Sequence, residues 1–168
     1  IIKKSYEVFG KTTSLVMGDY SKTKKSFSAL KSKDGLKLKE YLSNGQQKYD
    51  FAKKYYLFNN YRGISKLPFS SLPYLIKYNP LINYDSFVNK YFEDELIRKA
   101  MKFMTVFLGG SPKSISSLYS LLGYADIKLG IWYPLGGFGS IVQVFKKLNE
   151  EYGVKILTKN AVDKILIK

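Results

Sequence analysis

GIWYPLGGFGSIVQVFKKLNEEYGVKILTKNAVDKILIK, residues 130–168, is the stretch whose reading decides the fold. Ile131, Trp132 and Tyr133 are β-branched or aromatic, as in a short strand. Pro134 disfavours helical backbone at the residue before it. Gly136 and Gly137 turn the chain into a helix whose apolar side carries Ile141, Val142, Phe145 and Leu148. Gly153 stops that helix. Residues 154–157 and 162–167 then read as two further strands, apolar and rich in β-branched side chains. Strand, turn, helix, strand is thus the order of this final third.

Upstream, two helices are expected. Asp94 caps one that carries Leu96, Met101, Met104, Phe107 and Leu108 and ends at Gly109-Gly110. Ser111-Pro112 has the order of an N-cap and first helical residue, and Ile115, Leu118, Tyr119 and Leu122 follow at helical spacing up to Gly123. Such stripes are core before they are anything else. Residues 1–18 read as a strand pair turning at Gly10-Lys11. Asp19 or Ser21 caps a helix to about Leu30, and Asp34-Gly35 opens a longer one through Leu38, Tyr41 and Leu42, then Phe51, Tyr55 and Phe58. Gly63, Pro68, Pro73 and Pro80 break the stretch from 59 to 80 into loops and short turns. Leu72, Tyr74, Leu75, Ile76 and Tyr78 make it too apolar for a free linker. It is expected to be a lid, a cavity wall or a surface that touches lipid or a partner.

The 168 residues are enough for one ordinary domain with a core of its own, and 45% of them are hydrophobic. The net charge of +15 comes from 28 basic residues, all lysine except Arg62 and Arg98. Reading of bases favours arginine's planar fork, so no specific nucleic-acid partner is expected. Lysines at an anionic lipid face each add about 1 kcal/mol of attraction, which suits contact with a membrane surface. Cysteine and histidine are absent. The chain therefore contains no disulfide, no thiol nucleophile, no Ser-His-Asp triad and none of the commonest metal ligands. No run approaches the length of a bilayer-spanning helix.

The glycine cluster at 136–139 allows a ligand close to backbone N–H groups at a helix start. It lacks the full G-x-G-x-x-G pattern and the Lys-Ser/Thr of a phosphate loop, so it is not a self-sufficient dinucleotide site. Glu93, Asp94 and Glu95 sit at a helix start and Glu150 and Glu151 at a helix end, where carboxylates are ordinarily solvated. No catalytic residue is assigned.

Several pieces, in order, carry a family resemblance: LGGSP at 108–112, the pair Leu118-Tyr119, GIWYPLGG at 130–137, GVKI at 153–156 and VDKI at 162–165. Together they resemble the bacterial-type phytoene desaturases, within the flavin amine-oxidase superfamily. The resemblance is good over residues 95–168 and loose before that. It implies an FAD-dependent oxidoreductase that dehydrogenates a long lipophilic polyene, FAD being the hydride acceptor. Residues 1–168 would be a single substrate-binding domain inserted into the flavin-binding part, an α+β fold with a mixed β-sheet flanked by several helices, and 154–168 would be strands leading back to that part. By the same resemblance Val162, Gly136 and Gly137 would lie against FAD. Trp132, Tyr133, Pro134, Phe138 and Tyr119 would line the substrate tunnel. The chain alone would be inactive and without flavin. The enzyme would be cytoplasmic and peripheral to the membrane, with residues 67–82 forming the entrance. Related flavoenzymes resembling retinol saturase, carotenoid isomerase or amine oxidase remain alternatives, as does a non-catalytic basic module that binds membrane or RNA.

Overall fold

The computed structural model describes the backbone of residues 2–4, 6–9, 14–58 and 69–166, and side chains from residue 15 onward. The chain divides into two compact units, one of Lys4–Ile131 and one of Ile1–Lys3 with Trp132–Lys168.

In the larger unit, strands β2 (Tyr6–Phe9) and β3 (Ser14–Met17) pair antiparallel, with Tyr6 opposite Met17. Their expected turn at Gly10-Lys11 lies outside the described residues. Leu15 and Met17 alternate onto the buried face, as a half-buried strand requires. Helix α1 (Tyr20–Leu30) starts where Asp19 accepts a 3.0 Å bond from Lys22 N. Helix α2 (Ser32–Ala52) runs on through Gly45 and ends in a π-type turn, Lys53–Leu57. α1 and α2 approach at Gly35, where a Cβ would lie 1.9 Å from Ser28 Oγ and 3.0 Å from Ser28 Cα. Only glycine lets the two helices come that close.

A 3-10 turn, Phe69–Ser71, leads into helix α3 (Leu72–Tyr78), with Pro73 in its first turn. Helix α4 (Tyr84–Tyr91), capped by Asn83, was not foreseen: its eight residues are too few for a clear repeat. Helix α5 (Glu95–Lys102) has the expected Asp94 cap, then tightens to 3-10 over Phe103–Leu108 and stops at Gly109, φ +65°. The core gathers Phe27, Leu38, Tyr41, Tyr84, Phe92 and Met101, all at most 0% exposed. Phe27 meets Phe92 edge-on at 5.7 Å.

Two boundaries differ from the sequence reading. Ser111-Pro112 opens a turn rather than a helix. The helical segment begins at Ser116, which caps a 3-10 turn (Ser117–Tyr119) leading into helix α6 (Ser120–Tyr124). Gly123 does not stop it, because the helix continues as a π-type turn, Ala125–Leu129, to Gly130 at φ +84°. Gly123 serves packing instead: a Cβ there would stand 2.7 Å from the Tyr41 hydroxyl oxygen.

Strands β1 (Ile2–Lys4) and β4 (Ile131–Tyr133), most of whose residues belong to the smaller unit, pair with each other. Gly136 and Gly137, at φ +80° and +79°, turn the chain into helix α7 (Phe138–Glu151), and Gly153 closes it at φ +71°. The expected strands after it are not formed among the described residues. Residues 154–166 are exposed and irregular, bent at Lys159 with φ +56°. A strand is stable only with a partner ladder, and the described residues supply none there. The described strands thus form two separate pairs rather than one mixed sheet, in a mostly helical chain.

Candidate functional site

The larger unit holds an apolar cavity of about 480 Å3. Phe51 and Ala52 at the end of α2 form one side, with Tyr56 and Leu57 from the π-type turn. Leu118, Tyr119, Leu121 and Leu122 form the opposite side, and Leu75 of α3 completes it. These residues supply hydrocarbon and few polar atoms, so the cavity suits an apolar ligand rather than an ion or a sugar. Its one charged lining residue is Lys48. Another cavity, of about 400 Å3, is lined by Lys33, Lys37, Glu40 and Glu93. Both of its glutamates are already paired, Glu40 with Lys37 at 2.6 Å and Glu93 with Lys31 at 3.0 Å.

Lys48 is only 2% exposed. Its Nζ donates to the Ser117 carbonyl oxygen at 2.9 Å and to Ser120 Oγ at 3.0 Å. It also sits 3.8 Å above the centre of the Phe87 ring. Burial disfavours the ammonium and pushes its pKa down to about 7. Ser117, Ser120 and Phe87 are not cavity residues, so the charge is drawn inward while the lysine stem meets the cavity. Nearby, Tyr84 donates to the Met101 carbonyl oxygen at 3.0 Å, and its hydroxyl lies 2.8 Å from that of Tyr41. Burial raises the pKa of both phenols. Among the described residues no cluster of His, Cys, Asp or Glu could hold a metal ion.

The residues expected to line a site from sequence fall into two groups. Tyr119, 43% exposed, lines the cavity of the larger unit. Trp132 and Tyr133 of β4, the turn residues Pro134, Gly136 and Gly137, and Phe138 at the start of α7 follow one another in the smaller unit. There Tyr133 and Phe138 meet edge-on at 5.3 Å, and the Gly137 N–H closes on the Pro134 carbonyl oxygen at 3.1 Å. Sequence reasoning missed Lys48 and took Leu118 and Leu122 for core. The signal for Lys48 was its spacing from Tyr41 and Gly45, which puts all three on one face of α2.

A flavin placed as the resemblance implies would need Val162 and the glycine turn together. The turn itself needs glycine for its backbone, with Gly136 and Gly137 at φ +80° and +79°. Val162 is 79% exposed in an irregular segment, and no hydrogen bond joins it to the turn. None of the cavities described above is lined by Gly136, Gly137 or Val162. The described residues therefore do not by themselves assemble a flavin site.

No protein-family profile matches the chain. Individual relatives do. A phytoene desaturase of Cercospora nicotianae is 33% identical over 129 residues, 76% of this chain and 21% of the relative. A carotenoid 3,4-desaturase of Haloarcula japonica is 40% identical over 80 residues, 48% of this chain and 16% of the relative. A 4,4'-diapophytoene desaturase of Staphylococcus aureus is 30% identical over 128 residues, 76% of this chain and 26% of the relative. The chain belongs to the phytoene desaturase family. It spans about a quarter or less of the length of these phytoene desaturase relatives. Among the described residues of this family member, no helix is long and apolar enough to cross a membrane.

Proposed function

We propose that the chain is the polyene-binding part of a carotenoid desaturase-like, FAD-dependent oxidoreductase. The observation that carries this is the apolar cavity of the larger unit, in a chain whose relatives are named for desaturation of phytoene, diapophytoene and carotenoids. A conjugated or pre-conjugated hydrocarbon has nothing to hydrogen-bond, so it is held by shape and by burial of apolar area, at roughly 25 cal/mol per Å2. The cavity receives one segment of the polyene, with Tyr119 against it. In the smaller unit, taken by itself, Trp132, Tyr133, Pro134 and Phe138 are assigned to substrate contact, and Gly136, Gly137 and Val162 to contact with FAD. FAD, when bound, would serve as the hydride acceptor. The protein's own work is then to desolvate and orient the substrate. The chain alone is inactive on this reading. It acts as a single substrate-binding domain inserted into the flavin-binding part.

The test is binding of phytoene, dispersed in detergent, to the chain and to a Leu121→Trp variant. Tryptophan adds a ring to the cavity wall, and affinity is expected to fall about tenfold, the cost of blocking a snug apolar site. Equal affinity in both would put the polyene elsewhere. No binding by the unaltered chain would remove the cavity from the reaction.

The same reading puts the membrane-facing entrance at residues 67–82, of which 69–82 are described, on the cytoplasmic side. Leu72 and Ile76 of α3 are 54% and 75% exposed, flanked by Phe69 and Leu81 at 93% and 92%, while Leu75 of α3 lines the cavity. One short helix thus joins an outward apolar surface to the proposed site. Flotation with phosphatidylglycerol vesicles is expected to carry the chain upward and to lose a Phe69→Glu, Ile76→Glu variant. Retention of that variant on the vesicles would move the entrance elsewhere.

A further inference from the structure

One face of α2 meets the segment 117–124 at three successive points. At Tyr41 the contact is so close that a Cβ on Gly123 would stand 2.7 Å from the hydroxyl oxygen. At Gly45 a Cβ would lie 2.9 Å from Tyr124 Cβ and 3.0 Å from the Ser120 carbonyl oxygen. At Lys48 the contact is polar instead, the Nζ bonds to Ser117 O and Ser120 Oγ. One turn further, the face gives Phe51 and Ala52 to the cavity, and the segment gives Leu118, Tyr119, Leu121 and Leu122. Lys48 therefore stands where the tight seam passes into the cavity wall. On its other flank the wall segment is held by Ser116 Oγ on the Pro80 carbonyl oxygen, 2.7 Å, and by Ser117 N on the Ile82 carbonyl oxygen, 2.7 Å.

Filling space does not account for a lysine here. A methionine would fill nearly the same volume without the several kcal/mol that burying an ammonium costs. What the lysine adds is a reach of donors onto two oxygens of the wall segment, which fixes the height of that segment over α2.

We propose that Lys48 is a positioning residue of the polyene site, setting the separation between α2 and the wall segment 117–122 and so the width of the cavity. The proposal rests on the reading of the cavity as the polyene site. It predicts that ligand affinity follows the presence of an amine at position 48 and not the stability of the fold.

The chain has no cysteine, so Lys48→Cys carries a single thiol. In denaturant its thiolate displaces bromide from 2-bromoethylamine, forming a thioether that restores an amine at close to lysine length. After refolding, the probe is diphenylhexatriene, a neutral polyene whose fluorescence rises in apolar surroundings. Only the part of the signal abolished by Leu121→Trp is counted as cavity binding. The unaltered chain and the aminoethylated variant are expected to bind alike, with Lys48→Cys and Lys48→Met about tenfold weaker. Gly35→Ala, strained at the α1–α2 contact away from the cavity, controls for stability and is expected to keep full affinity. Should Lys48→Met fail to fold, Lys48→Gln, which donates but is shorter, takes its place with the same expectation. Full affinity in the Lys48 variants, or an equal loss in Gly35→Ala, would overturn the proposal. A chain that shows no Leu121-sensitive binding at all would overturn the cavity reading beneath it.

Discussion

Asp34→Ala is expected to cost the larger unit about 3 kcal/mol of stability, the range for removing a charged acceptor from buried backbone donors. Asp34 is 1% exposed in the first turn of α2. Its carboxylate accepts from Glu93 N at 3.1 and 3.0 Å and from Asp94 N at 2.9 Å. Those two N–H groups belong to the link between α4 and α5, where Asp94 caps α5 and Arg98 Nε donates to the Phe92 carbonyl oxygen at 2.6 Å. One side chain at the head of α2 thus fixes the path of a link some sixty residues away in sequence. Without the carboxylate both N–H groups lose their acceptor, and alanine is too short for water to be excluded cleanly. Urea unfolding at neutral pH measures the loss. A change under about 0.5 kcal/mol, the size usual for surface substitutions, would show that the link is held without Asp34.

Stability is expected to rise as pH increases from about 7 towards 10, and Lys48→Met is expected to remove that rise. The folded Lys48 loses its proton at about 7, whereas an unfolded lysine loses it at the ordinary 10.5. Between these limits the unfolded chain holds one proton more than the folded chain, so unfolding becomes harder as pH rises. Below about 7 both states are protonated and the contribution is lost. At about 1.4 kcal/mol for each pH unit, the window to pH 10 sets an upper limit of roughly 4 kcal/mol. Above the ordinary tyrosine value of 10.0 the slope reverses, because unfolded tyrosines ionise while burial keeps Tyr41 and Tyr84 protonated. Denaturant midpoints at pH 6, 7.5, 9 and about 10, compared with those of Lys48→Met, follow the contribution. A flat difference between the two proteins across that range would place the Lys48 charge in contact with water.

The helices that were legible in the sequence are those with a cap and an apolar repeat. Asp19 and Asp94 each begin a helix where their short acceptors predict it, and Gly153 ends α7. Signals that serve two purposes misled. Gly123 has the look of a helix stop, yet it is glycine because Tyr41 needs the space, a tertiary reason invisible in the local pattern. The residues at 154–157 and 162–166 have strand propensity, but propensity forms a strand only beside a partner. The site was legible in the same partial way. Tyr119 was reached through the resemblance, and it lines the cavity. Lys48 was hidden among 28 basic residues, because composition marks a lysine as surface and only a fold can bury one.

The central claim, that the apolar cavity takes a polyene, is tested most directly by methyl NMR of the leucine-labelled chain titrated with phytoene. The account predicts shifts at Leu75, Leu118, Leu121 and Leu122, which line the cavity, and none at Leu15 or Leu38 in the core. Shifts confined to the exposed Leu72 and Leu81, or to Leu148 on α7, with the cavity leucines unmoved, would contradict it.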